Sequence, residues 1–218
     1  SELIDRVERD EVGYPLELPA IISGAEAPQG VRILLAPMLY EGTYTLLYDG
    51  EGEVQIQSRP NLHVVSSTAG RVHVRVDKPA NDSFVLEILR SKRGNHVRNV
   101  RLLAPGFTDD SAALVFHPDY LSRLSGMSTL RFMDAGRTNG SSLVRWQDRP
   151  KPTDLTQGTD KGLPIETMIA LSNRVGADPW FCVPHLADDE YVEQMAKLIR
   201  ERLDPKLKLY VEYSNEVW

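Results

Sequence analysis

The sequence predicts two folds in succession, an all-β unit and then an α/β unit: an antiparallel β-sandwich over residues 1–98, followed over 99–218 by the first half of a parallel TIM-type (β/α)8 barrel. Two observations lead there. Before residue 98 the chain alternates apolar and polar residues in short runs broken by Gly, Pro and Asp, the pattern of half-buried antiparallel strands. After it, short apolar runs take turns with amphipathic helical stretches, the order expected of right-handed parallel crossovers.

Gly42 to Tyr48 alternates, Asp49-Gly50-Glu51-Gly52 is a turn, and Glu53 to Gln57 alternates again, so a hairpin is expected there. Leu62 to Val65, a turn at Ala69-Gly70, and Arg71 to Val76 repeat the scheme, and Phe84 to Leu89 adds a strand. Val72, Val74 and Val76 should face the core and Arg71, His73 and Arg75 the solvent. His63 and His73 then read as solvent-side strand residues rather than ligands.

In the second half, parallel strands are expected near 100–103, 129–133, 180–183 and 209–213. His117 to Leu124 is a short helix with Pro118 in its first turn. Asp134 to about Gly162 is a long polar loop, of the kind that is either functional or disordered. Pro164 opens a helix with Ile165, Met168 and Ile169 on one face, stopped at Gly176. Asp188, Asp189 and Glu190 fill the positive end of a helix whose expected buried stripe is Val192, Met195, Ala196, Ile199 and Leu203. Four such strands would leave an open edge and an uncovered face, to be closed by the remaining half of the barrel or by a partner chain. Both termini read as cut from a longer protein.

Composition narrows the function classes. The chain has 218 residues, 41% hydrophobic and 26% charged, enough to bury a core. Its net charge is −6 with Lys and Arg scattered, which argues against nucleic acid as a partner. No apolar run approaches the roughly 20 residues of a membrane span, and the start carries no signal-peptide pattern. The single Cys182 reads as a small buried strand residue. His185 with Asp188 and Asp189 has poor zinc spacing, and helix capping explains the acids better. No cofactor and no metal are expected. Asn81-Asp-Ser83 and Asn139-Gly-Ser141 match the glycosylation pattern, a match short enough to arise by chance.

The chemistry concentrates at the C-terminus. Leu209 to Tyr213 reads as a buried strand running into Asn215-Glu216, with Trp218 two residues on. A carboxyl, an amide and an indole at the C-terminal end of a parallel strand suit a sugar-cleaving site.

Trp146 to Pro152, Met168 to Gly176, Asp178 to His185 and Tyr210 to Trp218 resemble a group of bacterial, secreted or cell-surface, carbohydrate-associated proteins similar to the clan A glycoside hydrolases, which are retaining (β/α)8 barrels. The resemblance covers roughly the last 120 residues, and Gly42 to Thr45 and Tyr48 to Gly52 more weakly. It implies that Glu216 is the general acid/base and Asn215 a donor to the sugar 2-hydroxyl. It also matches Arg131 to a second-strand Arg and His185 to a third-strand His. On the residues' own chemistry, Trp218 and Tyr213 could wall the acid, and Trp146 could stack a pyranose, as could Trp180 if it is not core. The family's nucleophile lies on a seventh strand that this chain does not reach, so the resemblance implies a fragment of a retaining hydrolase of a β-linked polysaccharide, inactive alone. Two other readings stand beside it: a non-catalytic carbohydrate-binding or cell-surface protein, and a purely structural matrix module.

Overall fold

A computed structural model describes residues 7–20, 30–37, 40–80, 83–107 and 116–215. The chain divides into two compact units, Ser1–Ala112 and Ala113–Trp218.

The first unit holds two antiparallel sheets. One has the order β1 (Val31–Pro37), β6 (Ser83–Ser91), β3 (Gly52–Ile56). The other runs β4 (Leu62–Thr68), β5 (Arg71–Val76), β2 (Gly42–Asp49), β7 (Arg98–Leu103). Alternation puts one face of each strand into a shared core: Leu46, Val54, Val72, Val74, Val76, Phe84, Leu86 and Ile88 are all nearly inaccessible. Arg71, His73 and Arg75 lie on the other face of β5, as the pattern predicts. His63 is paired with Asp77 (2.8 Å) and His73 with the Thr45 hydroxyl (3.0 Å).

The expected hairpin at Asp49-Gly50 is not one. β2 is flanked by β5 and β7, while β3 pairs with β6, so the turn carries the chain from one sheet to the other. Gly50 fits this passage because it has φ +90° and its Cα hydrogens face the His96 carbonyl, where a Cβ would come within 2.0 Å. By contrast, β4 and β5 do form a hairpin through Ala69-Gly70.

The half-barrel expectation is overturned. The strand expected first in the barrel, 100–103, lies in β7 and pairs antiparallel with β2 in the first unit. The physical reason is that its apolar run completes an antiparallel edge already available beside β2. The helix that follows, α1 (Pro118–Leu124), has seven residues, buries none of them, and joins no pair of parallel strands. The second unit is instead a small mixed α/β unit around three parallel strands, β8 (Thr129–Arg131), β9 (Asp178–Val183) and β10 (Tyr210–Tyr213), in the order β10-β9-β8.

Two helices connect these strands. α2 (Ile165–Val175) starts after Pro164 and ends at Gly176, which has φ +75°, the left-handed conformation of a helix C-cap. α3 (Asp189–Arg202) is capped by the Asp188 carboxylate, which accepts from the Tyr191 N–H at 2.7 Å. Both helices contribute to one core with Leu130, Phe132, Phe181 and Val183, and Phe132 stacks on Phe181 at 5.4 Å. The buried stripe of α3 is Tyr191, Met195, Leu198 and Ile199. Val192 and Ala196, expected inside, are exposed, so the helix is rotated from the predicted setting.

Candidate functional site

Strand alternation leaves one face of the parallel sheet away from the helices. Arg131, Trp180 and Tyr210 form a row across it in register, with Cys182 and Glu212 in the next. Trp180 is 37% exposed there, which settles its place: it is not in the helix-side core.

Glu212 is the hub of this face. The Arg131 guanidinium crosses the intervening strand β9 and donates to the carboxylate through Nη2 at 2.8 Å and Nε at 3.2 Å. The Cys182 thiol donates to Oε2 at 3.4 Å. On its way Arg131 lies over the Trp180 ring, 5.1 Å from the centroid. The hydrogen bonds from Arg131 hold the Glu212 carboxyl below the usual carboxylate range, partly opposed by desolvation. Burial first, and then the hydrogen bond to Glu212, push the Cys182 thiol up to about 11.

The same Arg131 Nη2 donates to Asn215 Oδ1 at 2.6 Å. Asn215 Nδ2 donates in turn to Asn139 Oδ1 at 3.0 Å. Between Glu212 and Asn215 the chain bends at Ser214, which is buried and has φ +58°, a region non-glycine residues enter rarely. The Ser214 N–H still donates to the Val183 carbonyl at 2.8 Å, so the bend begins directly at the strand end. One cation therefore fixes both the last acid of β10 and the amide just beyond it.

Of the residues singled out from the sequence, Arg131 and Asn215 are brought into direct contact. Tyr213 and His185 meet elsewhere on the same sheet end, the tyrosine hydroxyl donating to the His185 carbonyl at 2.8 Å, and both are exposed. Trp146 is in a different cluster. It packs edge-on to Tyr191 at 5.4 Å and stacks beneath Arg149 at 3.9 Å, beside an Arg149–Glu166 ion pair of 2.7 Å. One of its faces is thus already covered by a side chain. Glu216 and Trp218 lie outside the described residues. Among the described residues no group of three His, Cys, Asp or Glu is placed to hold a metal, and no helix is long and apolar enough to cross a membrane.

Glu212, Trp180 and Asn139 complete the arrangement without having been among the principal candidates. Glu212 left one trace in the sequence: it is an acid inside an apolar strand, which requires a cation nearby. Asn139 stood out only as a glycosylation-pattern match, which says nothing of this contact, since it lies in a 29-residue polar loop without periodicity, from Asp134 to Gly162.

No protein-family model, no curated protein and no solved structure matches this chain.

Proposed function

We propose that the C-terminal end of the parallel sheet is a saccharide site, and that Glu216, the residue after Asn215, is the general acid/base of retaining hydrolysis of a β-linked polysaccharide. The observation that supports this reading is the double engagement of Arg131 with Glu212 and Asn215. It orients the Asn215 amide at the strand end. That amide has two N–H donors and spends one on Asn139, leaving the other for a sugar 2-hydroxyl. Such a contact strengthens as oxocarbenium character develops. The exposed Trp180 face and Tyr210, whose rings lie 6.3 Å apart, offer apolar surface for the C–H face of a pyranose.

In this reading Glu216 protonates the leaving oxygen, and for that it must stay protonated until the bond breaks. Glu212 has a different task. Pinned by Arg131 and Cys182, it is the ionised carboxylate that positions Arg131. Retention also needs a second reacting carboxylate about 5–5.5 Å from the first.

One observation favours a second reading, a saccharide-binding protein without hydrolysis. Arg131 commits Nε and Nη2 to Glu212 and Asn215, leaving only Nη1 for a further carboxylate such as a catalytic nucleophile. Turnover of an activated aryl β-glycoside by the intact protein separates the two. Hydrolysis abolished by Glu216→Gln, with oligosaccharide affinity retained, supports the enzyme. Unchanged hydrolysis in that variant removes Glu216 from the mechanism. Tight oligosaccharide binding with no turnover in the parent favours the binder.

A further inference from the structure

The long loop after β8 is pinned near its start. Thr138 and Ser141 are almost inaccessible, 1% and 2% exposed, and the Ser141 N–H donates to the Thr138 carbonyl at 3.3 Å. Between these two buried residues a tight turn presents Asn139 and Gly140 to solvent. Gly140 has φ +65°, a left-handed setting that glycine takes without strain. The bond that closes the turn does not use the Gly140 N–H. No other asparagine in the sequence is followed by glycine.

The orientation of the Asn139 amide follows from its neighbours. Arg131 can only donate, so the Asn215 atom it holds at 2.6 Å is the oxygen, and Asn215 presents its NH2 to Asn139. An NH2 group can only donate as well, so the Asn139 atom it meets at 3.0 Å is the carbonyl oxygen. The Asn139 nitrogen is left against the Met133 sulfur at 3.7 Å, a weak acceptor. The carbonyl is polarised, and the nitrogen is held by little.

We propose that Asn139 is a self-modification site, where the Gly140 backbone nitrogen attacks the Asn139 side-chain carbonyl carbon and closes a succinimide. The new bond joins the Gly140 nitrogen to Asn139 Cγ. The Cγ–Nδ2 bond breaks, and that nitrogen leaves as ammonia with the proton that Gly140 gives up. Water then opens the ring at either carbonyl, leaving aspartate or isoaspartate at position 139. Water is the only co-reactant, and nothing is oxidised or reduced. Ring closure is intramolecular, and glycine has no side chain to block it. The Asn215 N–H is aimed at the oxygen on which negative charge develops as the nitrogen adds. Either product places a carboxylate on the residue that meets the Arg131-held Asn215 amide. The modification does not depend on what the sheet end binds.

Incubating the intact protein in mildly alkaline buffer, with peptide mapping by mass spectrometry, tests this. The peptide carrying Asn139 should gain one mass unit and separate into aspartyl and isoaspartyl forms, roughly tenfold or more faster than any other asparagine peptide. Far-ultraviolet dichroism should stay unchanged meanwhile. Gly140→Ala, where a Cβ meets no atom within 4 Å, should slow the conversion roughly tenfold. Asn139→Gln, which leaves the backbone untouched, should abolish it. Asn215→Ala should slow it by a smaller factor, through loss of the polarising donor. Faster conversion in that variant would show that the contact restrains the amide, and overturns the part given to Asn215. An Asn139 that stays intact in the native chain while the urea-unfolded chain converts overturns the proposal. So does conversion of other asparagines at the same rate.

Discussion

Two strand-borne glutamates, one in each unit, are held by arginine and do different things. Glu87, on the middle strand of its sheet, accepts from Arg32 at 2.5 Å and from Gln55 at 2.6 Å. Both donors come from the neighbouring strands at the positions directly opposite it. Every bond is a nearest-neighbour cross-strand pair, so the group stays within the repeat of the sheet. Glu212 lies on an edge strand, and its arginine comes from two strands away, over a tryptophan. That longer reach also captures Asn215, past a left-handed residue. Where the partners are adjacent, the ion pair ties a sheet together. Where they are not, it fixes side chains that lie beyond the sheet.

The largest effect should come from separating these roles. Arg131→Met removes the cation shared by Glu212 and Asn215, and affinity for β-linked oligosaccharides should fall roughly a hundredfold or more in calorimetric titration. Arg32→Met, the matching change in the other unit, should leave that affinity unaltered. Equal losses in the two variants would mean that Arg131 only supports the fold. The dependence on acid has a definite sign. Glu212 is held below its ordinary value of 4.5, so its contribution is complete above that value and is lost as pH falls through the lower, folded one. Binding should therefore persist through neutral and weakly acidic solution. A loss near neutrality would assign it to another group.

A smaller effect is expected at the other glutamate. Glu87→Ala leaves Gln55 without its acceptor and Arg32 free to turn to water, since the Arg32 side chain is 74% exposed. The cost should be about 1–2 kcal/mol, read from the urea midpoint of the first unit. Glu87→Gln, which keeps an acceptor, should cost less. Saccharide affinity should not follow either change. If Glu87→Ala does weaken binding, the contrast drawn between the two carboxylates fails.

Much of this was legible from residue patterns, and the gaps have physical causes. Alternation identified the core face of β5 through Val72, Val74 and Val76 because each strand's burial is a local, period-two property. Which strand lies beside which is not local. Val100 to Leu103 reads as an apolar strand whether it opens a parallel sheet or closes an antiparallel one, and only the vacancy beside β2 decides. The same holds at Asp49-Gly50, where the turn signal was right and the implied pairing was not. At the site, Arg131 and Asn215 were separately nameable from their types and positions. That one would grip the other depended on the order β10-β9-β8 and on the bend at Ser214, neither of which a pattern of residue types contains.

Cys182 reports on the Glu212 hub from within and carries the smallest effect. Its thiol is pushed up to about 11, first by burial and then by the carboxylate that accepts its hydrogen bond. Near pH 8 the thiolate fraction should make alkylation by iodoacetamide roughly a hundredfold slower than for an exposed cysteine, with the rate climbing as pH is raised toward the thiol's own range. Glu212→Gln removes the second cause and keeps the first, so labelling should quicken by a small factor and remain slow. Arg131→Met acts in the opposite sense, because Arg131 favours the thiolate and its loss should slow labelling further. Opposite changes in the two variants would show thiol, carboxylate and guanidinium acting as one coupled group. Identical changes would mean that each substitution merely loosens the sheet around Cys182, and the hub would then be no more than ordinary packing.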